Sequence, residues 1–377
     1  MKHRIVVLGA GYAGTHAAGR LARRLHPGDA EITLVNAEPD FVERIRLHQL
    51  ATGHEPRPRP LTEVFAGTAV RVRTARVTAI DADHRTVRLD DEGQIPYDTL
   101  VYALGSTAGS PGHHVASRPA ARAVRDRLRA LTAGSTVLVV GAGLTGIETA
   151  TEIAESRPDL SVAIAARDGV GDWLGDRARE HLHRVLTRLA VTVHDHTEVT
   201  RDGEIPADLT VWTTGFATHP LAATTSLKVT TSGRIEVDGS MRSVSHPDVY
   251  AVGDAGFAIG AGGKPLRMSC ASGIPMAWQA ADAIAARLTG REVRESPIRY
   301  HAQCISLGRR DGIIQQVTAD DVAKPFALTG APAARVKEMV CAGAAWSISH
   351  PTVLLPARRH RIRARRTLTG ISAAADW

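Results

Sequence analysis

The sequence predicts an α/β protein with two Rossmann-like dinucleotide-binding domains, one inserted in the other, and a smaller α+β C-terminal module. Three observations predict it. Gly9-Ala10-Gly11-Tyr12-Ala13-Gly14 follows the strand-like run Arg4-Ile5-Val6-Val7-Leu8. About 130 residues on, Gly141-Ala142-Gly143-Leu144-Thr145-Gly146 follows Thr136-Val137-Leu138-Val139-Val140. Each glycine turn precedes a helix-compatible run, and strand patterns of the first unit resume after the second. A lone glycine fingerprint is weak evidence; two copies in the strand–turn–helix context are not.

The first unit reads as strand Arg4–Leu8, glycine turn, a helix through about Leu25 and strand Glu31–Asn36. Phe41–Gly53 reads as a loop or helix lying over a cofactor. Val70–Leu89 alternates with period two, as half-buried strands do. Tyr97–Gly105 is a buried strand ending in glycine. The inserted unit follows: strand Thr136–Val140, the second turn, a helix to about Ser156, strand Ser161–Ala165, a helix His181–Leu189 and strand Leu209–Gly215. Val249–Asp254 returns to a strand pattern, with a helix from about Met276 to Leu288. The remainder reads as a hairpin over Ile298–Val317, a short strand and a helix Ala333–Ala345. The expected division is 1–110 with 240–295, an inserted 111–239, a module at 296–350 and a basic tail at 351–377.

In such turns the first glycine makes the bend and the second lets the backbone approach a pyrophosphate. The third lets helix and strand pack closely. The helix N-terminus supplies N–H donors and the positive end of its dipole. Two units imply two dinucleotides, FAD and NADPH or NADH. The end of the second strand reports on the ribose held. In the first unit this is Asn36, with Glu38 two residues on, both suited to a free ribose hydroxyl; Glu38 reads equally as a surface loop residue. In the second unit Ala166 stands where an acid would select NADH, and Arg167 follows. That charge favours the 2′-phosphate of NADPH, unless Arg167 is one more exposed arginine.

At 377 residues and 44% hydrophobic, the chain can bury a sizeable core. No run approaches the roughly 18 apolar residues of a membrane span, and the first strand begins at once, so a cytoplasmic protein is expected. Cys270, Cys304 and Cys341 form no CxxC pair, which argues against a redox-active disulfide and for core thiols. The net charge of +7 is concentrated in Ala357–Arg366, which holds six arginines and no acid. The rest is nearly neutral, so no nucleic-acid face is expected on the core. The tail is either a solvated terminus or a peripheral contact with an anionic membrane. Oligomeric state is left open, and no metal cluster stands out.

Tyr102-Ala103-Leu104-Gly105, Trp212-Thr213-Thr214-Gly215 and Tyr250-Ala251-Val252-Gly253-Asp254, with both glycine turns, resemble the two-dinucleotide-binding-domain flavoproteins. That superfamily holds disulfide reductases, ferredoxin reductases and type II NADH dehydrogenases. Gln49-Leu50-Ala51-Thr52-Gly53, Tyr300, Gly308-Arg309-Arg310 and Leu328-Thr329-Gly330 are most similar to the type II NADH dehydrogenases, over about residues 3 to 340. The resemblance implies FAD contacts from Gly9, Gly11, Ala13, Gly14, Asn36, Glu38, Arg44, Val77, Ala103, Gly105, Gly253, Asp254 and Ala277. NAD(P)H contacts are implied for Gly141, Gly143, Thr145, Gly146, Arg167 and Gly215. Glu148, in the family's Gly-x-Glu, is expected on the first turn of its helix beside the stacked rings, positioning nicotinamide or relaying a proton; otherwise it answers the helix dipole. Arg44, Arg46 and His48 fall in the segment over the flavin, where one cation would stabilise its anionic reduced form.

Two departures bear on the acceptor. Ile274-Pro275-Met276-Ala277-Trp278-Gln279 keeps only the last Ala and Gln of the family's Ala-Gln-x-Ala-x-Gln quinone motif. The arginine tail replaces an amphipathic membrane-anchoring end. The expected activity is hydride transfer from NAD(P)H to FAD, then electrons to a quinone-like small molecule. A reductase or oxidase using another small molecule or oxygen, and a flavin redox sensor with little turnover, are the alternatives.

Overall fold

The computed structural model describes residues 1–110, 112–292, 295–352 and 359–363. His3–Leu8 is the middle strand of a five-stranded parallel sheet. Its order is Val249–Ala251, Thr99–Tyr102, His3–Leu8, Ala30–Asn36, Val70–Thr74. These strands are runs of Val, Ile and Leu because helices or further strands cover both faces. Ile5, Val7 and Leu8 are fully buried. The chain leaves this sheet after Tyr102 and returns at Val249, beside Thr99–Tyr102, in register Val249↔Leu100.

Between those points it builds a second five-stranded parallel sheet. The order is Thr192–His194, Ser161–Ala165, Thr136–Val140, Leu209–Trp212, His113–His114. One dinucleotide unit is therefore inserted in another. Ser106–Ala108 pairs antiparallel with Phe216–Thr218, joining the outgoing and returning chain. Val77–Asp81, Thr86–Leu89 and Gln94–Pro96 form a small antiparallel sheet on the first unit.

The helix after the first glycine turn, Tyr12–Arg24, packs along the long helix Cys270–Thr289. Asp282 fastens the two through Arg20 at 2.7 Å and Arg24 at 3.0 Å. Sequence periodicity starts the long helix at Met276, because Pro275 disfavours helix in the residue before it. It begins instead at Cys270 and carries Pro275 inside. Buried Ser272 and Gly273 seat that turn against Gly253, whose Cα would lie 3.3 Å from a Cβ on residue 273. Tertiary packing outweighs the lost backbone bond. The helix expected at His181–Leu189 spans Asp176–Arg188, its buried stripe of Ala178, Leu182, Val185 and Leu186 starting a turn earlier.

The C-terminal module is an antiparallel sheet, Ala302–Ser306, Gly312–Val317 and Ala323–Thr329, under the helix Ala331–Ser349. That helix exceeds the expected Ala333–Ala345 at both ends: Gly330 turns into it at φ +81°, and buried Ile348 extends its packed face. The module straddles both units. Ile305, Leu307, Ile313 and Ala327 join the core of the second, while Val317 and Ile348 join that of the first.

Of the basic tail, residues 359–363 are described. They dock on the first unit, with a bridge from His360 to Leu25 and an Arg361–Asp29 ion pair at 2.8 Å. The rest of the arginine run lies outside the described residues. No described helix is long and apolar enough to cross a membrane.

Candidate active site

Both glycine turns have the same construction. Gly9 (φ +93°) and Gly141 (φ +103°) adopt backbone conformations that only glycine takes without strain. A Cβ on Gly14 would collide with the Gly9 carbonyl oxygen, and one on Gly146 with that of Gly141. The two N-cap glycines differ: among the described residues, nothing beyond their own chain neighbours and helix backbone lies within 4 Å of where a Cβ of Gly11 or Gly143 would stand. No side chain caps either helix. Each turn thus presents an open face and unspent N–H donors, which is what a diphosphate requires.

Around the first turn, Gly9 lies against the Ala103 carbonyl, and Gly253 (φ +69°) brings its turn to the Ala13 methyl. The Ser106 hydroxyl donates to Asp254 Oδ2 at 2.6 Å and accepts from Arg44 Nη2 at 3.2 Å. Arg44 Nη1 is 3.8 Å from the same Asp254 oxygen and lies over Gly105 (φ +68°). Burial draws the Arg44 pKa down, with Asp254 opposing. Of the two arginines in the covering segment, Arg44 therefore joins the glycine turns. Arg46 instead pairs with Glu338 of the C-terminal helix at 2.6 Å and with Glu43 at 3.2 Å.

Asn36 is used locally. Its Oδ1 accepts the Ala10 N–H at 2.9 Å, and its Nδ2 donates to the Glu38 carbonyl at 2.7 Å. The side chain braces the bend, and Glu38 stands half-buried beside it. Val77 and Ala277 are buried packing residues. Ser106 carries no motif, and only its place after the Gly105 turn marks it.

At the second turn, Thr213 Oγ donates to the Val140 and Gly141 carbonyls at 2.8 and 3.0 Å, locking bend to strand end. A cavity lined by His114, Thr145, Trp212, Thr214, Gly215 and Phe216 opens there. Arg167 is exposed, and Asp168, which the charge reading left out, lies 3.6 Å from it.

Glu148 is the fifth residue of its helix, Leu144–Ser156, so it stands one turn beyond the expected first turn. It is buried against the C-terminal module rather than left to the helix dipole. Lys337 Nζ donates to its Oε1 at 2.9 Å, as does the Ser306 N–H at 3.0 Å. Lys337 also donates to the Cys304 carbonyl at 2.9 Å. His48 Nδ1 is 3.9 Å from Oε2, and its Nε2 has no hydrogen-bond partner among the described residues. Burial pushes the Glu148 carboxyl up, but Lys337, His48 and the Ser306 amide bring it below its ordinary value. Burial lowers Lys337 while Glu148 raises it, with a net rise. His48 is pushed down to about 4 by burial, only partly offset by Glu148, so it is neutral at pH 7.

Sequence reasoning missed Lys337. The signal was its spacing: Ala333, Lys337, Cys341 and Ala345 recur every four residues, and the other three are buried. A lysine in a buried stripe demands a buried acid. All three cysteines are free, and burial raises their pKa values, Cys341 to about 11. They are unreactive thiols at neutral pH.

Two open turns with uncapped helices, one flanked by Arg44 and Asp254 and the other by a cavity of mixed lining, fit a dinucleotide at each. The comparisons agree in kind. A NADH dehydrogenase-like protein of Mycobacterium tuberculosis is 29% identical over 380 residues, covering 89% of this chain and 92% of its own. The demethylphylloquinone reductase of Synechocystis is 27% identical, covering 86% and 89%. The sulfide:quinone oxidoreductase of Aquifex aeolicus superposes with a TM-score of 0.80 at 17% identity, covering 94% and 93%. The pyridine nucleotide-disulphide oxidoreductase family model matches residues 3–285, three quarters of the chain. By that match and by its paired glycine turns, the chain belongs to the pyridine nucleotide-disulphide oxidoreductase family.

Proposed function

We propose that the protein is an FAD-dependent NAD(P)H dehydrogenase that delivers electrons to a quinone-type acceptor. The carrying observation is the pair of open glycine turns, the second of which leads into the helix that holds Glu148 against Lys337. FAD would lie on the turn at Gly9–Gly14 with Arg44, Ser106 and Asp254 around it; NAD(P)H would lie on the turn at Gly141–Gly146 with Thr145 and Gly215. When bound, the flavin accepts hydride from nicotinamide and passes two electrons on.

The chain's own contribution is position and charge. Arg44 brings a partly buried cation that favours negative charge developing nearby. Lys337 has three N–H donors, of which Glu148 and the Cys304 carbonyl occupy two. The third is left for an acceptor oxygen, which an ammonium held charged by Glu148 can polarise, the proton that completes reduction being relayed in through the pair. Neutral His48 stands beside Glu148 Oε2 without adding charge.

The quinone assignment draws on the relative named a demethylphylloquinone reductase. The altered Ile274-Pro275 stretch lies in the helix Cys270–Thr289, on a different element from either member of the acid–base pair. For the donor, Arg167 without an acid at Ala166 favours NADPH, while neighbouring Asp168 weakens that preference. The relatives' names point to NADH, so both donors are expected to work.

The test is NADH and NADPH oxidation by the purified yellow protein, with and without menadione. Quinone-dependent turnover well above the oxygen background is expected. Peroxide formed in step with NAD(P)H, unchanged by menadione, would make it an oxidase. Tight donor binding without turnover would make it a sensor.

A further inference from the structure

We propose that Glu152, with His54 at the surface, is the proton-entry route to the Glu148–Lys337 pair. The inference rests on the proposed function and concerns how its acceptor is protonated. Reducing a quinone to a quinol takes two electrons and two protons. NAD(P)H supplies both electrons and one proton as hydride; the second proton comes from solvent at each turnover. Glu148 is buried and the Lys337 side chain is only 14% exposed, so a proton reaching the pair needs a path inward.

Glu152 lies four residues after Glu148 on one helix, so the two side chains are neighbours on the same face. Its side chain is 1% exposed, and neither carboxylate oxygen has a hydrogen-bond partner among the described residues. This is unusual for a buried acid, since an unpaired carboxylate is costly to bury and its neutral form is not. His54 Nδ1 stands 3.9 Å from Glu152 Oε1, and the imidazole is 57% exposed. The line thus runs from water through His54 to Glu152 and on to Glu148, its neighbour one helical turn back.

The groups around Glu152 tune it for proton exchange. Burial raises its pKa most, Arg309 of the C-terminal hairpin lowers it, and Glu155 and Glu148 raise it further, leaving it at about 7. Glu155 is itself occupied, accepting the Arg309 N–H at 3.0 Å. A carboxyl poised there both gives and regains a proton near neutrality. A carboxyl with only a packing role needs no surface histidine at its oxygen.

The experiment compares wild type, Glu152→Gln and His54→Ala in menadione turnover from pH 5.5 to 9. Anaerobic single-turnover reduction by NAD(P)H is measured alongside. Wild-type kcat should fall above about pH 7 as Glu152 loses its proton. Glu152→Gln should lose that inflection and drop at least ~10-fold near neutrality, with the rate of reduction by NAD(P)H unchanged. His54→Ala, a surface change that leaves packing intact, should lower kcat and recover in imidazole buffer. Wild-type kcat and pH profile in Glu152→Gln, or wild-type kcat throughout in His54→Ala, overturn the route. A wild-type protein that NAD(P)H does not reduce removes the proposed function and this route with it. Normal reduction beside an unaltered Glu152→Gln profile overturns the route alone.

Discussion

Lys337 keeps its charge where water hardly reaches, because Glu148 lies 2.9 Å away. Such a pair adds little net stability, but losing one partner leaves the other charged and unpaired. Lys337→Met should therefore destabilise the protein by about 3–5 kcal/mol at pH 7 in urea melts. Glu148→Gln with Lys337→Met should restore much of the loss. The pH dependence follows from the lowered Glu148 carboxyl. A carboxylate whose folded value lies below its unfolded one stabilises the fold above the unfolded value. That stability is lost as pH falls through the folded value. The gap between wild type and Lys337→Met should accordingly be full near neutrality and close in acid. Equal stability of the two at pH 7 would refute the buried pair. Glu148 was legible in the sequence because it sits at a fixed offset from a glycine turn. Its partner was not, since 189 residues separate the two and only a helical stripe hints that Lys337 faces inward.

At the scale of elements, the glycine turns were legible almost completely, because each needs glycine for its own steric reason. Gly9 and Gly141 take positive φ; Gly14 and Gly146 leave no room for a methyl. The two turns sit on separate sheets, so damage to one should spare the other. Gly146→Ala should weaken NAD(P)H binding at least ~10-fold, the effect of about 1.4 kcal/mol, while the protein stays yellow; Gly14→Ala should be isolated without flavin. Equilibrium titration of donor and the flavin absorbance of each variant decide this, and loss of flavin in Gly146→Ala would contradict it. Helix ends were less legible. Pro275 marks a start by local preference, yet the helix begins at Cys270 because Ser272 and Gly273 pack into the Gly253 turn. Local rules lose wherever a long-range contact is stronger.

Across the whole molecule, the C-terminal module does what neither dinucleotide unit does alone. It supplies Lys337 to the second unit's Glu148 and Glu338 to the first unit's Arg46. The sequence revealed this module only as a hairpin, a strand and a helix, since its purpose lies in contacts between parts distant in the chain. The same holds for residues 359–363. As sequence they form a like-charge run, yet His360 and Arg361 pair with Leu25 and Asp29 of the first unit. Fold class was legible because periodicity and turn chemistry are local; the site was half legible because its polar centre is assembled from three regions.

Whether one turn holds a flavin and the other a donor that reduces it is tested most directly by anaerobic stopped-flow reduction of the purified protein. The flavin is followed near 450 nm, with NADH and NADPH in parallel. Rapid bleaching by both donors is predicted, with Arg167→Ala slowing NADPH more than NADH. A protein that carries no flavin and binds none when it is added, or a bound flavin that neither donor bleaches, would contradict the proposed function at its first step.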